Sequence, residues 1–317
     1  MEKKNDENYK LLFLGSKEFG LEVFEHILAL VPKNICAFVT VDDSEDSRSK
    51  INEIKLLCTR ESIPVEVISG KMELEKCIGK YKPDICFVVC WYSLIPEELL
   101  SSVPNGFIGI HNSKLPSYRG QSPLVWQIIN GEEKAGFSIF SFTPGMDDGD
   151  IWYQDEVEIE KDDYISDIML KIQNKVLTFI DRKLPEMLNG KIKPYPQKNV
   201  NISYSSKRTV EDGLINWTDK NESIYNFIRA QSKPYPGAFT IYKGQKVIIW
   251  KSYLFPFPIY GAPGQIGMIN KEDGELVIVC GDMKGLVIKE IEVEGQLWKA
   301  AEYIKSLKYK FGINENI

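Results

Sequence analysis

Histidine is nearly missing from this chain: His26 and His111 are the only two in 317 residues. That excludes a histidine-rich metal centre and leaves few candidates for an acid–base imidazole. Cysteine is sparse and unpatterned. Cys36, Cys58, Cys77, Cys86, Cys90 and Cys280 contain no CxxC pair, and the opening MEKKNDENYK lacks an apolar export stretch. Reduced thiols and a cytoplasmic location are expected from this. No apolar run reaches the roughly 18 residues that span a bilayer, so no membrane partner is expected. Positive charge is not in excess, since 39 Lys+Arg face 45 Asp+Glu for a net charge of −6. A general nucleic-acid binder is usually basic. The GxGxxG spacing is also missing from Gly15-Ser16-Lys17-Glu18-Phe19-Gly20. A dinucleotide cofactor is therefore not expected, although a helix start there could accept a substrate phosphate.

What is present is an ordinary globular composition, 43% hydrophobic and 26% charged. The length suggests two domains. Apolar runs at 11–15, 35–41, 64–68, 85–89 and 107–110 alternate with helical patterns at 17–31, 47–62 and 71–80. This predicts an α/β, Rossmann-like, mostly parallel sheet with flanking helices. Ligands bind such sheets beyond the carboxyl ends of the strands. Gly15-Ser16, Cys90-Trp91-Tyr92 and His111-Asn112 then share one rim. A long helix is predicted over 162–189, with Ile165, Ile168, Met169, Ile172, Val176 and Phe179 on one stripe. The division read from the sequence is a first domain over 1–190, a linker over 191–205 and a second domain over 206–317. The second domain reads as a helix near 221–231, short strands at 238–242, 246–254, 265–269, 275–280 and 285–291, and a closing helix over 296–308. A small β-barrel-like (OB-like) unit is the natural architecture.

Two loops stand out for chemistry. His111 ends a buried strand and opens the polar stretch Asn112-Ser113-Lys114-Leu115-Pro116-Ser117-Tyr118-Arg119-Gly120. A lone histidine is more often structural, but rim placement before a polar loop favours chemistry. Thr143-Pro144-Gly145-Met146-Asp147-Asp148-Gly149-Asp150 is acidic and glycine-rich. It could be a turn, a loose cation site, or the source of a carboxylate for His111. No acidic residue stands at calcium-loop spacing, and no metal is expected.

The HxSxLPxYRG pattern at 111–120, with Pro123 and Asn130-Gly131-Glu132, resembles the formyltransferase family. Gly145-Met146-Asp147-Asp148-Gly149-Asp150 is similar to that family's acidic loop. Lys207-Arg208-Thr209, Glu211-Asp212-Gly213, Asn216-Trp217, Arg229-Ala230 and Pro234 to Phe239 resemble its accessory domain. The likeness runs through nearly the whole chain. It implies transfer of a formyl group from 10-formyltetrahydrofolate to an amine. It further implies that His111 acts as the acid–base group and that Asp147 supports it. By the same likeness, folate binds near Ser93, Leu94 and Ile95, after Trp91-Tyr92, and against Thr143, Pro144, Gly145 and Met146. Ser113, Leu115, Pro116 and Gln121 line that cleft in the family pattern. One departure is evident: the family carries Asn two residues before the histidine, and here that residue is Gly109. Losing one oxyanion donor can cost about 10²–10³ in rate.

Two branches share this layout, one acting on methionyl-tRNA and one on a nucleotide-linked amino sugar. Residues 206–317 hold 15 Lys+Arg against 13 Asp+Glu, without the excess that tRNA favours. The stretches Val89 to Pro96 and Ser122 to Trp126 look more like the sugar branch. The expected activity is therefore sugar N-formylation in cell-envelope glycan synthesis. The tRNA enzyme and a catalytically impaired folate- or sugar-binding relative are the alternatives. Leu297, Trp298, Ala301, Tyr303 and Ile304 form an apolar stripe on the expected closing helix. Either it packs on its own barrel or it makes a homodimer contact.

Overall fold

The computed structural model describes residues 9–312, so the first eight residues of the polar opening and residues 313–317 lie outside the described residues. The described residues form two compact units. One holds the chain up to Gly120, Gly136–Glu156 and Lys171–Tyr204. The other holds Gln121–Ala135, Val157–Leu170 and the chain from Ser205.

The first unit is built on continuous apolar strands. β1 (Leu11–Gly15), β2 (Ile35–Val41), β3 (Val65–Ile68), β4 (Ile85–Val89) and β5 (Phe107–His111) alternate with α1 (Lys17–Leu30), α2 (Ile51–Arg60), α3 (Lys71–Tyr81) and α4 (Glu97–Ser102). The chain then runs through the short β6 (Arg119–Gly120), α5 (Pro123–Ile129), which belongs to the second unit, β7 (Lys134–Ser141), β8 (Ile151–Glu158), α6 (Ile165–Leu188), whose residues up to Leu170 also belong to the second unit, and the short β9 (Tyr204–Ser205). The main sheet has seven strands in the order β3-β2-β1-β4-β5-β7-β8. Neighbours among the first five are parallel, and β7 runs antiparallel to β5. β1 and β4 are buried along their whole length, as expected of strands covered on both faces. Phe13, Phe24 and Phe38 pack with ring centroids 4.6–5.1 Å apart. Each such buried ring contributes about 1.5–3 kcal/mol. β1, β4 and β5 are adjacent and parallel, so Gly15, Val89 and His111 end on one rim. Ser16 ties that rim together by donating its hydroxyl to the Cys90 carbonyl at 2.6 Å. Lys17, which opens α1, is buried and paired with Asp43 and Asp46.

The second unit carries α7 (Asn221–Gln231) and an antiparallel sheet. Its strands are β10 (Ala238–Tyr242), β11 (Gln245–Pro258), β12 (Ile266–Asn270), β13 (Glu275–Val279), β14 (Lys284–Val293) and β15 (Gln296–Lys299). The order is β10-β11-β14-β13-β12, with β15 paired to β14. Phe311 N–H donates to Gly264 O beside β12, and Gly312 N–H donates to Ile241 O of β10, at 2.8 and 2.9 Å. These bonds stitch the two ends of the strand order and make the sheet barrel-like. The core combines aliphatic residues, among them Val247, Ile249, Leu276, Ile278, Leu286 and Ile288, with the aromatic Trp217, Tyr225, Tyr242 and Phe311.

The closing helix expected over 296–308 is corrected. Residues 296–299 form β15, and only Ala300–Tyr303, α8, is helical. Glu294 and Gly295 both have positive φ, 51° and 80°, and turn the chain back so that Val293 faces Gln296. Such a two-residue loop matches the twist of a hairpin. The expected stripe is spent largely within this unit: Ala301 and Ile304 are buried, and Trp298 packs on Tyr303. Among the described residues, no helix is long and apolar enough to cross a membrane.

Candidate functional site

His111 sits where the parallel part of the main sheet meets its antiparallel extension, opposite Ser138 of β7. It is buried, and its Nε2 lies 2.8 Å from the Tyr118 carbonyl oxygen. A carbonyl only accepts, so Nε2 carries the proton and Nδ1 is left with the lone pair. Nδ1 faces Asp147 Oδ2 at 3.6 Å. That carboxylate is itself held, because Oδ2 accepts the Gly120 N–H at 2.7 Å. In the neutral ring both facing atoms are acceptors. A proton gained at Nδ1 turns the contact into a charge pair. The geometry therefore suits an imidazole that takes and returns a proton beside a fixed carboxylate.

Both flanking loops are shaped by hydrogen bonds within the first unit. Ser113 is fully buried, and its hydroxyl donates to Ser117 O at 2.6 Å. Ser138 Oγ donates to Ser113 O and accepts the Leu115 N–H, at 2.7 and 3.0 Å. Leu115 is buried beside Phe140 and Ile151. Ser113 and Leu115 thus serve the shape of the loop, and Pro116 is half-buried with its carbonyl accepting the Ser203 N–H. Thr143 donates to Asp148 across the acidic loop. Pro144, Gly145 and Met146 are exposed there. A Cβ on Gly149 would run into the Ser141 carbonyl, which explains glycine at that position. Beyond β4, Ser93 and Leu94 are exposed, Leu94 at 90%, while Ile95 is buried. Trp91 is half-buried, and its indole N–H is buried without a partner. Gln121 is exposed and belongs to the second unit.

The sequence reading missed Gln197. Its Nε2 donates to the carbonyls of Asp147 and Gly149, both at 2.8 Å. Its Oε1 accepts from Arg119 Nε at 3.2 Å and Nη2 at 2.6 Å. One side chain therefore clamps the acidic loop to the end of the His111 loop. Asp147 needs this support because its φ of 48° is unfavourable for a residue with a Cβ. The segment 191–205 expected as a linker does more than connect. Tyr195 bridges to Ile151, Asn201 O accepts from Ser117, and Ser203 meets Tyr118 and Arg119. Nothing in the polarity of 191–205 announced this, because every partner lies tens of residues away.

The space at Gly109 is also occupied. A Cβ there would lie 2.8 Å from Phe142 Cζ, closer still to Cε1, and 3.2 Å from Val88 O. The six cysteines are unpaired. Burial pushes the Cys90 thiol on the rim up to about 11, which removes it as a nucleophile near neutral pH.

The formyl transferase family matches residues 43–182, and the formyl transferase C-terminal domain matches residues 207–308. The chain is 32% identical over 273 residues to the bifunctional polymyxin resistance protein ArnA of Wigglesworthia glossinidia brevipalpis. That match covers 86% of this chain and 41% of ArnA, so the chain spans less than half of that relative. It is 30% identical to the methionyl-tRNA formyltransferase of Caldanaerobacter subterraneus subsp. tengcongensis, over 90% of this chain and 93% of that one. In fold it is similar to an N-formyltransferase from Helicobacter canadensis solved with folinic acid and dTDP-3-aminofucose. The TM-score is 0.65 at 19% identity, covering 89% of this chain and 99% of that one.

Proposed function

The chain belongs to the formyl transferase family, and from that premise we propose that it moves a formyl group from 10-formyltetrahydrofolate to the amine of a nucleotide-linked sugar. The observation that carries the reading is the arrangement of His111. Its Nε2–H is committed to Tyr118 O, and its Nδ1 faces the anchored Asp147 carboxylate. An amine attacks a formyl carbon only as the neutral species and must then lose a proton. Nδ1 is the atom that takes it, and Asp147 stabilises the imidazolium that results. Gly120 N–H and Gln197 keep Asp147 in place while that charge forms. With glycine at 109, no side chain there can donate to the developing oxyanion.

The formyl donor supplies an activated one-carbon group. The residues after β4 and on the acidic loop fit it: Leu94 and Met146 expose apolar surface, and Trp91 has an uncommitted buried N–H. In this reading residues 1–190 are the catalytic domain, 191–205 connect it, and 206–317 are accessory. The sugar acceptor is favoured by the near balance of charge in 206–317, 15 Lys+Arg against 13 Asp+Glu. Methionyl-tRNA is the second reading, and the relative of that name matched along 93% of its own length favours it.

The experiment is release of tetrahydrofolate from 10-formyltetrahydrofolate, with a panel of nucleotide-linked amino sugars and, separately, methionyl-tRNA. Turnover with a sugar supports the proposal. Turnover with tRNA alone replaces the acceptor. No turnover despite folate binding points to a disabled relative.

A further inference from the structure

Phe142 lies just past the end of β7, and its N–H donates to Phe107 O at 2.8 Å. Its ring occupies the space that a side chain at 109 would need. It packs against two buried clusters at once. One contains Val88 and Ile95, with Trp91 beside it. The other consists of Leu115, Phe140 and Ile151. Ile95 anchors the loop after β4, and Leu115 anchors the loop after His111. Phe142 therefore packs against both the cluster that holds Ile95 and the cluster that holds Leu115, and a side chain at 109 would take the place of its ring. The ring stays half-buried and meets Phe140 at 5.1 Å between centroids.

We propose that Gly109 and Phe142 are one unit, in which the glycine seats the ring and Phe142 acts as a positioning residue joining the loop after β4 to the His111 loop. The kinetic part of this rests on the formyl-transfer reading above; the steric part does not. The polar contacts of His111 are with Tyr118 O and Asp147 and do not involve Phe142, whose ring reaches the imidazole only through Phe140. Loosening the ring should weaken capture of the donor more than the proton transfer itself.

The test is a double-mutant cycle of Gly109→Asn and Phe142→Ala, read by thermal unfolding and by kinetics. Gly109→Asn alone overpacks the ring and lowers the melting temperature by roughly 5 °C or more. In the double variant the new side chain enters vacated space, and the combined loss falls well short of the sum of the single losses. Gly109→Ala, which adds only the Cβ, is the milder member if the Asn variant does not fold. Phe142→Ala raises KM for 10-formyltetrahydrofolate about tenfold and changes kcat less than threefold, whereas Phe142→Leu keeps most of the donor affinity. Additive thermal losses, or a Gly109→Asn protein as stable as the parent, overturn the unit. A Phe142→Ala protein that loses kcat with an unchanged donor KM overturns the positioning role. If the parent turns over no acceptor, the dissociation constant for folinic acid replaces KM and is read against the same tenfold expectation. A parent that binds no folate overturns the formyl-transfer reading and the positioning role together, while the thermal cycle still decides the steric unit.

Discussion

Buried polar groups are arranged differently in the two units. In the first, His111, Ser113, Ser138 and Arg119 are linked through loop backbone and Gln197 into one network at the ends of β5 and β7. In the second they form separate pairs. Trp217 Nε1 donates to Thr240 at 3.0 Å, Tyr164 is paired with the Ser252 backbone, and Arg229 donates to the Glu160 and Asp163 carbonyls. A converging network over-determines one small region, which is what a preorganised site needs. Dispersed pairs satisfy groups that folding would otherwise bury at a cost. Substitutions in the first network should therefore change rates, and substitutions in the second unit's pairs should change stability.

The largest break in that contrast comes from His111→Ala. Formyl transfer is expected to fall about 10³-fold, the middle of the range for losing an acid–base group. Asp147→Asn keeps an acceptor for Gly120 but removes the charge, and should cost about 10² in kcat. Both proteins should unfold close to the parent temperature. A large thermal loss with a modest rate loss would show that the network is scaffold.

Gln197 comes next. Gln197→Ala should lower kcat about 10- to 100-fold through Asp147, with KM for both substrates nearly unchanged. Gln197→Glu sharpens the test. A glutamate still accepts from Arg119 but cannot donate to the Asp147 and Gly149 carbonyls, so it should behave like the alanine variant. Activity near the parent level in the glutamate variant would mean that Arg119, not the acidic loop, is what Gln197 serves.

The contrast also follows what the sequence made legible. The continuous apolar runs of β1, β2 and β4 and the alternating burial of β10 declare their period locally, and the structure has these strands at the expected residues. The rim position of His111 followed from strand order and direction. Residues 296–299 were misread because Leu297, Trp298 and Ala301 fit a helical stripe, while the Glu294-Gly295 hairpin is a two-residue signal. Gln197 was invisible for a different reason. Its partners lie 48 to 78 residues away in sequence, and polarity alone does not say which glutamine becomes a clamp. Gly109 reads in the sequence as a missing amide, while the ring that fills its place is visible only in three dimensions.

In the second unit, Thr240→Val leaves the Trp217 N–H buried and unpaired while keeping the side-chain volume. Trp217 is 4% exposed and Thr240 is fully buried. The cost should be about 1–3 kcal/mol, with a melting temperature lower by several degrees and an unaltered rate of transfer. A rate loss of tenfold or more at full folding would dissolve the division between the units.

The smallest effect is on the rim of the first unit and depends on pH. Arg48 donates to both oxygens of Asp46, at 3.0 and 2.8 Å. These bonds hold the carboxyl well below the usual carboxylate range, against the opposing effect of burial and with help from Lys17. A carboxyl depressed in the folded state stabilises it above the unfolded value near 3.9, and that stabilisation fades as pH falls toward the folded value. Asp46 is 30% exposed and Arg48 39%, so solvent screening keeps the pair to about 1 kcal/mol or less. Arg48→Ala should therefore lower stability slightly at pH 7, and the gap from the parent should narrow below about pH 4. Urea unfolding at pH 7 and at pH 3.5 reads the difference directly. A gap that widens in acid would mean that Arg48 acts there through packing of its side chain rather than through the Asp46 charge.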